Sequence, residues 1–265
     1  MNKRKPTPTQ GIPGMDRGRF RPLRRISARF GRYKVPVAAG LAALAIGAGA
    51  FAMYKTPGCE EKPAARQLSP ETLSRMLLDA ALNGKQKIAA DAISQGADAN
   101  SRNKTGETPL HIVSRNGNAR FLGLLLKGGA DLESRDSHGF TPLISASRAG
   151  KHESIEFLLK HGADPSAANK AGETALFWAA TRGHGKIVEQ LVRNGAEVGI
   201  SKKEGTTPLM QASAYGHLKI VLFLLSEGAD PNRKNSDGKT ARDYASMGKH
   251  RKVCRLLRSY EARGS

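Results

Sequence analysis

The chain has 265 residues and a formal net charge of +20, from 43 Lys and Arg against 23 Asp and Glu. Aromatic residues make up only 5% of it, which disfavours an enzyme with a large aromatic-lined pocket. Two cysteines, Cys59 and Cys254, are too few for a disulfide framework and exclude a small disulfide-stapled fold.

Half of the excess positive charge lies in the N-terminal segment 1–34. This segment holds eleven Lys or Arg, and Asp16 is its only acidic residue. Prolines are frequent in residues 1–22, and few side chains there could form a core. We therefore predict that residues 1–34 are a disordered, basic N-terminal segment.

Twenty uncharged residues, 35–54, follow between Lys34 and Lys55. At about 1.5 Å of rise per residue, a helix of this length spans about 30 Å, the hydrocarbon thickness of a bilayer. Its many alanines would also suit a soluble helix, but it has no polar face. We predict a single transmembrane helix or signal anchor. Because the basic residues precede it, we expect a cytoplasmic N-terminus at a bacterial inner membrane, with the rest of the chain periplasmic.

Two alternatives concern the fate of this segment. Ala48-Gly49-Ala50 has the small-residue pattern of a signal-peptide cleavage site, so the mature protein could instead be exported and soluble. An arginine-rich N-terminus is also typical of mitochondrial transit peptides. If the helix stays in the bilayer, the small residues Ala39, Ala43 and Gly47 on one face could support self-association. Residues 55–68, which include two prolines, are predicted to form a tether.

Glycines recur at one constant interval through the rest of the chain, without an insertion or deletion. The first series is Gly106, Gly139, Gly172, Gly205 and Gly238. A second series, Gly-Ala-Asp or Gly-Ala-Glu, starts at Gly96, Gly129, Gly162, Gly195 and Gly228. Two independent markers with one period indicate a stack of similar units, each too small to bury its own apolar face.

Each unit has the sequence signals of two short helices and a polar loop. In the first full unit, Thr108 suits an N-cap, and Pro109 then occupies the first helical position, where its missing N–H costs nothing. Gly117 is expected to end that helix in the left-handed conformation. The largely apolar stretch 120–126 predicts the second helix, and a polar finger leads to the next unit.

The stretch Gly106-Glu107-Thr108-Pro109-Leu110-His111, together with the later Gly-Ala-Asp, resembles the ankyrin repeat family. The resemblance covers about residues 69–260. It implies an all-α fold, an ankyrin-type α-solenoid of stacked helix-turn-helix units with β-hairpin-like fingers, here preceded by the predicted transmembrane helix. The units would be an N-cap at 69–102, repeats at 103–135, 136–168, 169–201 and 202–234, and a C-cap at 235–260. The resemblance also implies that His111 makes a hydrogen bond that ties adjacent repeats.

The end units depart from the pattern. The first helix pair has the closing Gly-Ala-Asp but no opening Gly-x-Thr. In the last pair, Arg242 replaces the expected leucine, and Gly248 comes one residue early. A more polar terminal unit is typical of an open stack where it meets water.

No pattern predicts catalysis, a cofactor or a metal site. The seven histidines are scattered one to three per unit, without metal-ligand spacing. Asp98, Asp131, Asp164 and Asp230 fall in matching loops of successive units, too far apart for acid–base work. The basic residues Lys249, Arg251, Lys252, Arg255 and Arg258 lack the interleaved aromatics of a nucleic-acid interface and favour a solvated cap. We predict that the protein is not an enzyme and binds no nucleic acid.

The resemblance implies that another protein would bind in a concave groove formed by finger tips and first helices. The candidate partner-binding residues in that register are Arg115, His138, Phe140, Arg148, Arg182, Lys203 and Tyr215, with Lys104 and Lys170 at further finger tips. Trp178, the only tryptophan of the sequence, is a further candidate on the first helix of the third full unit. Arginines beside exposed aromatics suit a partner that carries carboxylates and an apolar anchor. The predicted function is therefore a non-catalytic protein-protein interaction scaffold, displayed from a membrane anchor or, alternatively, exported as an effector or a stress-protective factor.

Overall fold

The computed structural model describes residues 68–261. The predicted basic segment 1–34, the span 35–54 and nearly all of the tether 55–68 lie outside the described residues. Twelve α-helices and no β-strand occur in the described part of the chain. None of these twelve helices combines the length and apolar character that crossing a bilayer requires.

The helices come in six pairs that form two rows. The first helices of the pairs pack side by side in one row and the second helices in the other. In chain order they are α1 (Pro70–Leu82), α2 (Gln86–Ser94), α3 (Pro109–Asn116), α4 (Ala119–Lys127), α5 (Pro142–Ala149), α6 (His152–Lys160), α7 (Ala175–Arg182), α8 (Gly185–Arg193), α9 (Pro208–Ala214), α10 (Leu218–Ser226), α11 (Ala241–Met247) and α12 (Arg251–Glu261). The all-α solenoid expected from the sequence is confirmed.

The first helices begin and end where the sequence predicts. A threonine stands at the N-cap of each from α3 onward, and Thr141 Oγ1 accepts the Ile144 N–H at 3.3 Å. This bond satisfies one of the N–H groups that a helix start leaves without a partner. Gly117 ends α3 with φ +91°, a conformation that a residue with a side chain rarely adopts.

One apolar core extends through all six helix pairs. Its most regular feature is a leucine in each second helix from α4 to α12, fully buried in every case: Leu125, Leu158, Leu191, Leu224 and Leu257. The leucine near the start of the first helices α3, α5, α7 and α9 is also buried, as Leu143 and Leu176 show. In α11 that position is Arg242, which is exposed and forms an ion pair with Glu261 at 2.7 Å. No further unit follows within the described residues to bury a leucine there.

The fingers are tight turns with hairpin-like backbone bonds, and no β-strand forms in them within residues 68–261. Each closes with two backbone bonds, such as Asn103 N–H to Glu107 O and Gly106 N–H to Asn103 O, both at 3.0 Å. The one isolated bridge in residues 68–261 joins Ala168 and Thr174. The Asn103 side chain also holds the turn together, because its Oδ1 accepts the N–H groups of Thr105 and Glu107 at 2.9 Å.

Neighbouring fingers are joined by a regular series of backbone bonds. Ser137 N–H donates to Thr105 O at 3.1 Å, and Lys170 N–H to His138 O at 3.1 Å. The same bond recurs from Lys203 to Ala171 and from Ser236 to Glu204. The fingers are therefore held in a fixed row beside the first helices.

Candidate partner-binding cleft

Four of the eight predicted partner-binding residues line one cleft, and a fifth packs against them. The cleft has a volume of about 280 Å³ and lies between the last turns of α3, α5 and α7 and the fingers before α3 and α5. Its lining residues are Glu107, Arg115, Asp136, Phe140, Ser145, Arg148, Ala149 and Arg182. The constant period produces this assembly, because it brings equivalent residues of three successive units to one side of the stack.

Four of these neighbours form what we call the arginine–aromatic cluster, defined as Phe140, Arg148, Trp178 and Arg182. Arg148 Cζ lies 5.6 Å from the Phe140 ring centroid and 5.0 Å from that of Trp178. Arg182 Cζ lies 6.0 Å from the Trp178 centroid. The two rings are 5.9 Å apart and tilted by 59°. These are distances at which a cation is attracted to an aromatic face.

Arg115, in contrast, is already neutralised within its own unit. It forms an ion pair with Glu107, whose side chain is only 16% exposed. Burial raises the pKa of Glu107, but hydrogen bonds from Arg115, Asn103 and Thr105 more than offset it, so the pKa lies below its ordinary value. Glu107 is therefore ionised at neutral pH, and the Arg115 charge is balanced.

The second unit lacks this internal pair. Phe140 occupies the position in this unit that Glu107 occupies in the first, and Arg148 likewise corresponds to Arg115. Arg148 is exposed, and its guanidinium forms no ion pair or hydrogen bond with any residue in 68–261. Arg182 is equally without an acidic partner there. The aromatic rings hold both cations in place but do not neutralise them.

The other acidic residue in the cleft is engaged in a turn. Asp136 Oδ1 accepts the backbone N–H groups of His138 and Phe140, both at 2.9 Å. These bonds close the finger that presents Phe140. Asp136 therefore positions the aromatic residue and does not pair with an arginine.

The remaining candidates lie around the cleft or away from it. His138 is exposed at a finger tip, with its ring 6.2 Å from that of Phe140. Lys203 is on the finger two units further on, and Tyr215, 58% exposed, stacks on His217 at 6.2 Å. Lys170 donates from Nζ to Ser137 O at 2.7 Å and so ties two fingers. The structure therefore brings together only the residues of the first three full units.

The cleft contains residues that the sequence analysis missed. Glu107 and Asp136 determine which arginine is neutralised and how Phe140 is held, and Ser145 and Ala149 form part of the wall. Glu107 precedes the capping Thr108, the same register that selected Phe140, so the period alone could have identified it. Asp136 has the sequence signal of an Asx turn two residues before His138.

Three of the histidines bond backbone carbonyl groups of a neighbouring unit and so stabilise the stack. His111 is buried, and its Nε2 donates to Phe140 O at 2.8 Å, which confirms the predicted tie between adjacent repeats. His217 Nε2 bonds Thr181 O at 3.2 Å, and His250 Nε2 bonds Ala214 O at 3.0 Å. Both rings form hydrogen bonds with carbonyl groups near the end of the preceding unit's first helix. No group of three potential metal ligands occurs in residues 68–261.

Comparison with known proteins identifies the family. The family model described as "Ankyrin repeats (3 copies)" matches residues 77–169 and 176–264, well over half of the chain. Among curated proteins, no relative matches significantly. Proteins built from such repeats are generally non-catalytic modules that bind other proteins. The match, the constant period and the two-row helical stack agree, and the chain belongs to the ankyrin repeat family.

Proposed function

We propose that this protein binds another protein through the cleft at the arginine–aromatic cluster and performs no catalysis. The observation that carries the proposal is Arg148, an exposed cation that lies against two aromatic rings without an acidic partner in the described chain. Arginine and tryptophan are enriched among the residues that dominate binding energy at interfaces. A preformed cation–π arrangement also reduces the side-chain entropy that binding would otherwise cost.

We further propose that the repeats are displayed from a single-pass anchor at residues 35–54, at a bacterial inner membrane and on its periplasmic side. The support is the uncharged stretch of bilayer length and the basic residues before it. The competing proposal is a soluble exported protein, supported by the small-residue pattern at Ala48-Gly49-Ala50. In both cases the repeats would meet their partner outside the cytoplasm.

Charge reversal tests the binding surface. Arg148→Glu with Arg182→Glu is expected to abolish crosslinked capture of the native partner from membranes. Arg115 is left unchanged, because its ion pair with Glu107 would confound the result. The matched control is Arg120→Glu with Lys186→Glu, the same charge change at exposed positions in the first turns of α4 and α8, where helices tolerate acidic residues. Equal capture by both double variants would refute binding at the cluster.

N-terminal sequencing of the native protein tests the anchor. An intact N-terminus, with the protein in the membrane fraction and the repeats digested by protease added to spheroplasts, is expected for an anchor. A start near Phe51 or Met53 in a soluble fraction would support the exported form. Repeats protected from protease in spheroplasts would contradict both proposals.

A further inference from the structure

Building on the function proposed above, we propose that the cleft is a receptor for an acidic side chain of the partner protein. The partner's carboxylate would neutralise Arg148, aided by Arg182, and an adjacent apolar side chain would pack on Phe140 and Trp178. The partner segment is thus a peptide in which Asp or Glu lies next to an apolar residue.

The molecule contains its own template for this interaction. In the first full unit, Glu107 and Arg115 form an ion pair across the cleft wall. In the second unit the arginine is retained as Arg148, but Phe140 replaces the glutamate. A carboxylate that enters from outside would therefore restore a pair that the fold already makes one unit away.

No other carboxylate of residues 68–261 takes that place. Glu173 occupies the same register in the third unit, but it accepts a hydrogen bond from Asn169 Nδ2 at 2.8 Å and forms no ion pair. Glu107 and Asp136 have the partners described above. Arg148 thus has five N–H donors and no acceptor within the described chain.

The size and charge of the cleft favour a single carboxylate. About 280 Å³ is enough for one or two side chains but not for a large ligand. The acidic side chains of Glu107 and Asp136 in the wall disfavour a polyanion such as a nucleic acid backbone. The Phe140 and Trp178 rings favour an apolar neighbour beside the bound charge. A short acidic–apolar segment of a protein satisfies all three conditions.

The substitution Phe140→Glu tests the inference directly, because it supplies the missing carboxylate from within the chain. The fold should tolerate it, since glutamate already occupies this register as Glu107 and Glu173 and the His111 bond uses only the Phe140 backbone carbonyl. Phe140→Gln removes the ring without adding a charge. Lys239→Glu, in the same register of the last unit, is the control for adding an acidic residue elsewhere.

The probe is a displayed library of random dodecapeptides, selected on the full-length protein in detergent micelles. We expect enrichment of Asp or Glu beside an apolar residue. Replacing the acidic residue of a selected peptide by its amide should weaken binding about tenfold or more, because it removes a charge-assisted bond. Phe140→Glu and Arg148→Gln should weaken binding by at least as much, Phe140→Gln by less, and Lys239→Glu should have no effect.

The outcomes separate this inference from the proposed function. Peptides that need the arginine–aromatic cluster but show no acidic preference would overturn the acidic receptor and leave groove binding intact. Displacement of the peptides by single-stranded DNA at equal charge concentration would indicate a polyanion site and also overturn it. If no selected peptide responds to Arg148→Gln, both the receptor and the proposed binding surface are refuted.

Discussion

Hydrogen bonds at both ring nitrogens fix His111 in one neutral tautomer. Nδ1 accepts the Thr108 N–H at 3.2 Å, while Nε2 donates to Phe140 O at 2.8 Å. Protonation of Nδ1 would turn it into a donor, and its N–H would then face the Thr108 N–H without an acceptor between them. Burial lowers the pKa of His111 below 6.5, although the bond to the Phe140 carbonyl acts in the opposite direction. Burial also lowers the pKa of His184.

These shifts predict that the domain loses stability in mild acid. Because the folded pKa values lie below 6.5, the unfolded chain binds more protons than the folded chain just below that pH. The stabilisation is therefore complete above about pH 6.5 and is lost as the pH falls through the folded pKa values. We expect the urea midpoint to fall as the pH is lowered below about 6.5.

The variant His111→Met assigns the effect to one residue. Methionine already occupies this register as Met210, whose Sδ accepts the Thr207 N–H at 3.4 Å. The variant should lose about 1 kcal/mol at about pH 7.5, since the Phe140 carbonyl loses its donor, but its stability should depend less on pH. The exposed His152→Gln serves as the control. An unchanged pH dependence in His111→Met would contradict the assignment to His111.

At the scale of the element, the turn between α11 and α12 is the irregular one. The equivalent turns of the four full units place Gly117, Gly150, Gly183 and Gly216 at positive φ. In the last unit that register is Lys249, with φ +59°, because the glycine comes one residue early as Gly248. A side chain in the left-handed region costs about 1–2 kcal/mol relative to the right-handed one.

The substitution Lys249→Gly should therefore stabilise the C-terminal pair. Part of the gain is offset by the greater freedom of glycine in the unfolded chain, so the free energy of unfolding should rise by about 0.5–1 kcal/mol. Arg255→Gly, at an exposed position within α12, should instead lose about 1 kcal/mol. Urea unfolding of both variants measures the contrast. A loss of stability in Lys249→Gly would show that the lysine makes a contribution larger than its backbone strain.

Much of the helical fold could be predicted from the sequence because its signals are local. The capping threonines and left-handed glycines fix helix ends within a few residues, and a constant period fixes which faces stack. The finger geometry was predicted less well, because a resemblance to hairpins does not say whether backbone pairs or Asx side chains close the turn. At Lys202 the finger closes without an Asx residue, through the Lys202 N–H to Thr206 O bond at 3.0 Å.

The cleft was predictable in position but not in charge state. Register selected Phe140 and Arg148, and Trp178 was selected as the one tryptophan of the sequence, on the first helix of the third full unit. Whether an arginine is free depends on which carboxylate its long side chain reaches, and Glu107 lies on a finger whereas Arg115 lies at a helix end. Sequence spacing does not determine that contact. Arg115 and Arg148 therefore looked equivalent in the sequence. Of these two, Arg115 has an acidic partner in the described chain and Arg148 does not.

At the scale of the whole repeat domain, each helix pair packs on its neighbours alone, so its stability should be distributed as in a one-dimensional stack. Leu158 in α6 and Leu257 in α12 make a matched comparison, since they share a register and both are fully buried. Replacing either by alanine leaves a similar cavity, with a local cost of about 2–5 kcal/mol. The two sites differ in whether neighbouring pairs lie on both sides within the described chain.

We therefore expect the two alanine variants to show different hydrogen-exchange patterns in the full-length protein. Leu257→Ala should increase exchange in α11 and α12 and leave α3 to α6 protected, because the end pair can open without breaking an inner interface. Leu158→Ala should increase exchange on both sides of α6. When the central pair opens, each neighbouring pair loses the packing contacts on the side that faced it. If Leu257→Ala raises exchange equally in all helices, the domain unfolds as one cooperative unit, and the interfaces between pairs are stronger than the pairs themselves.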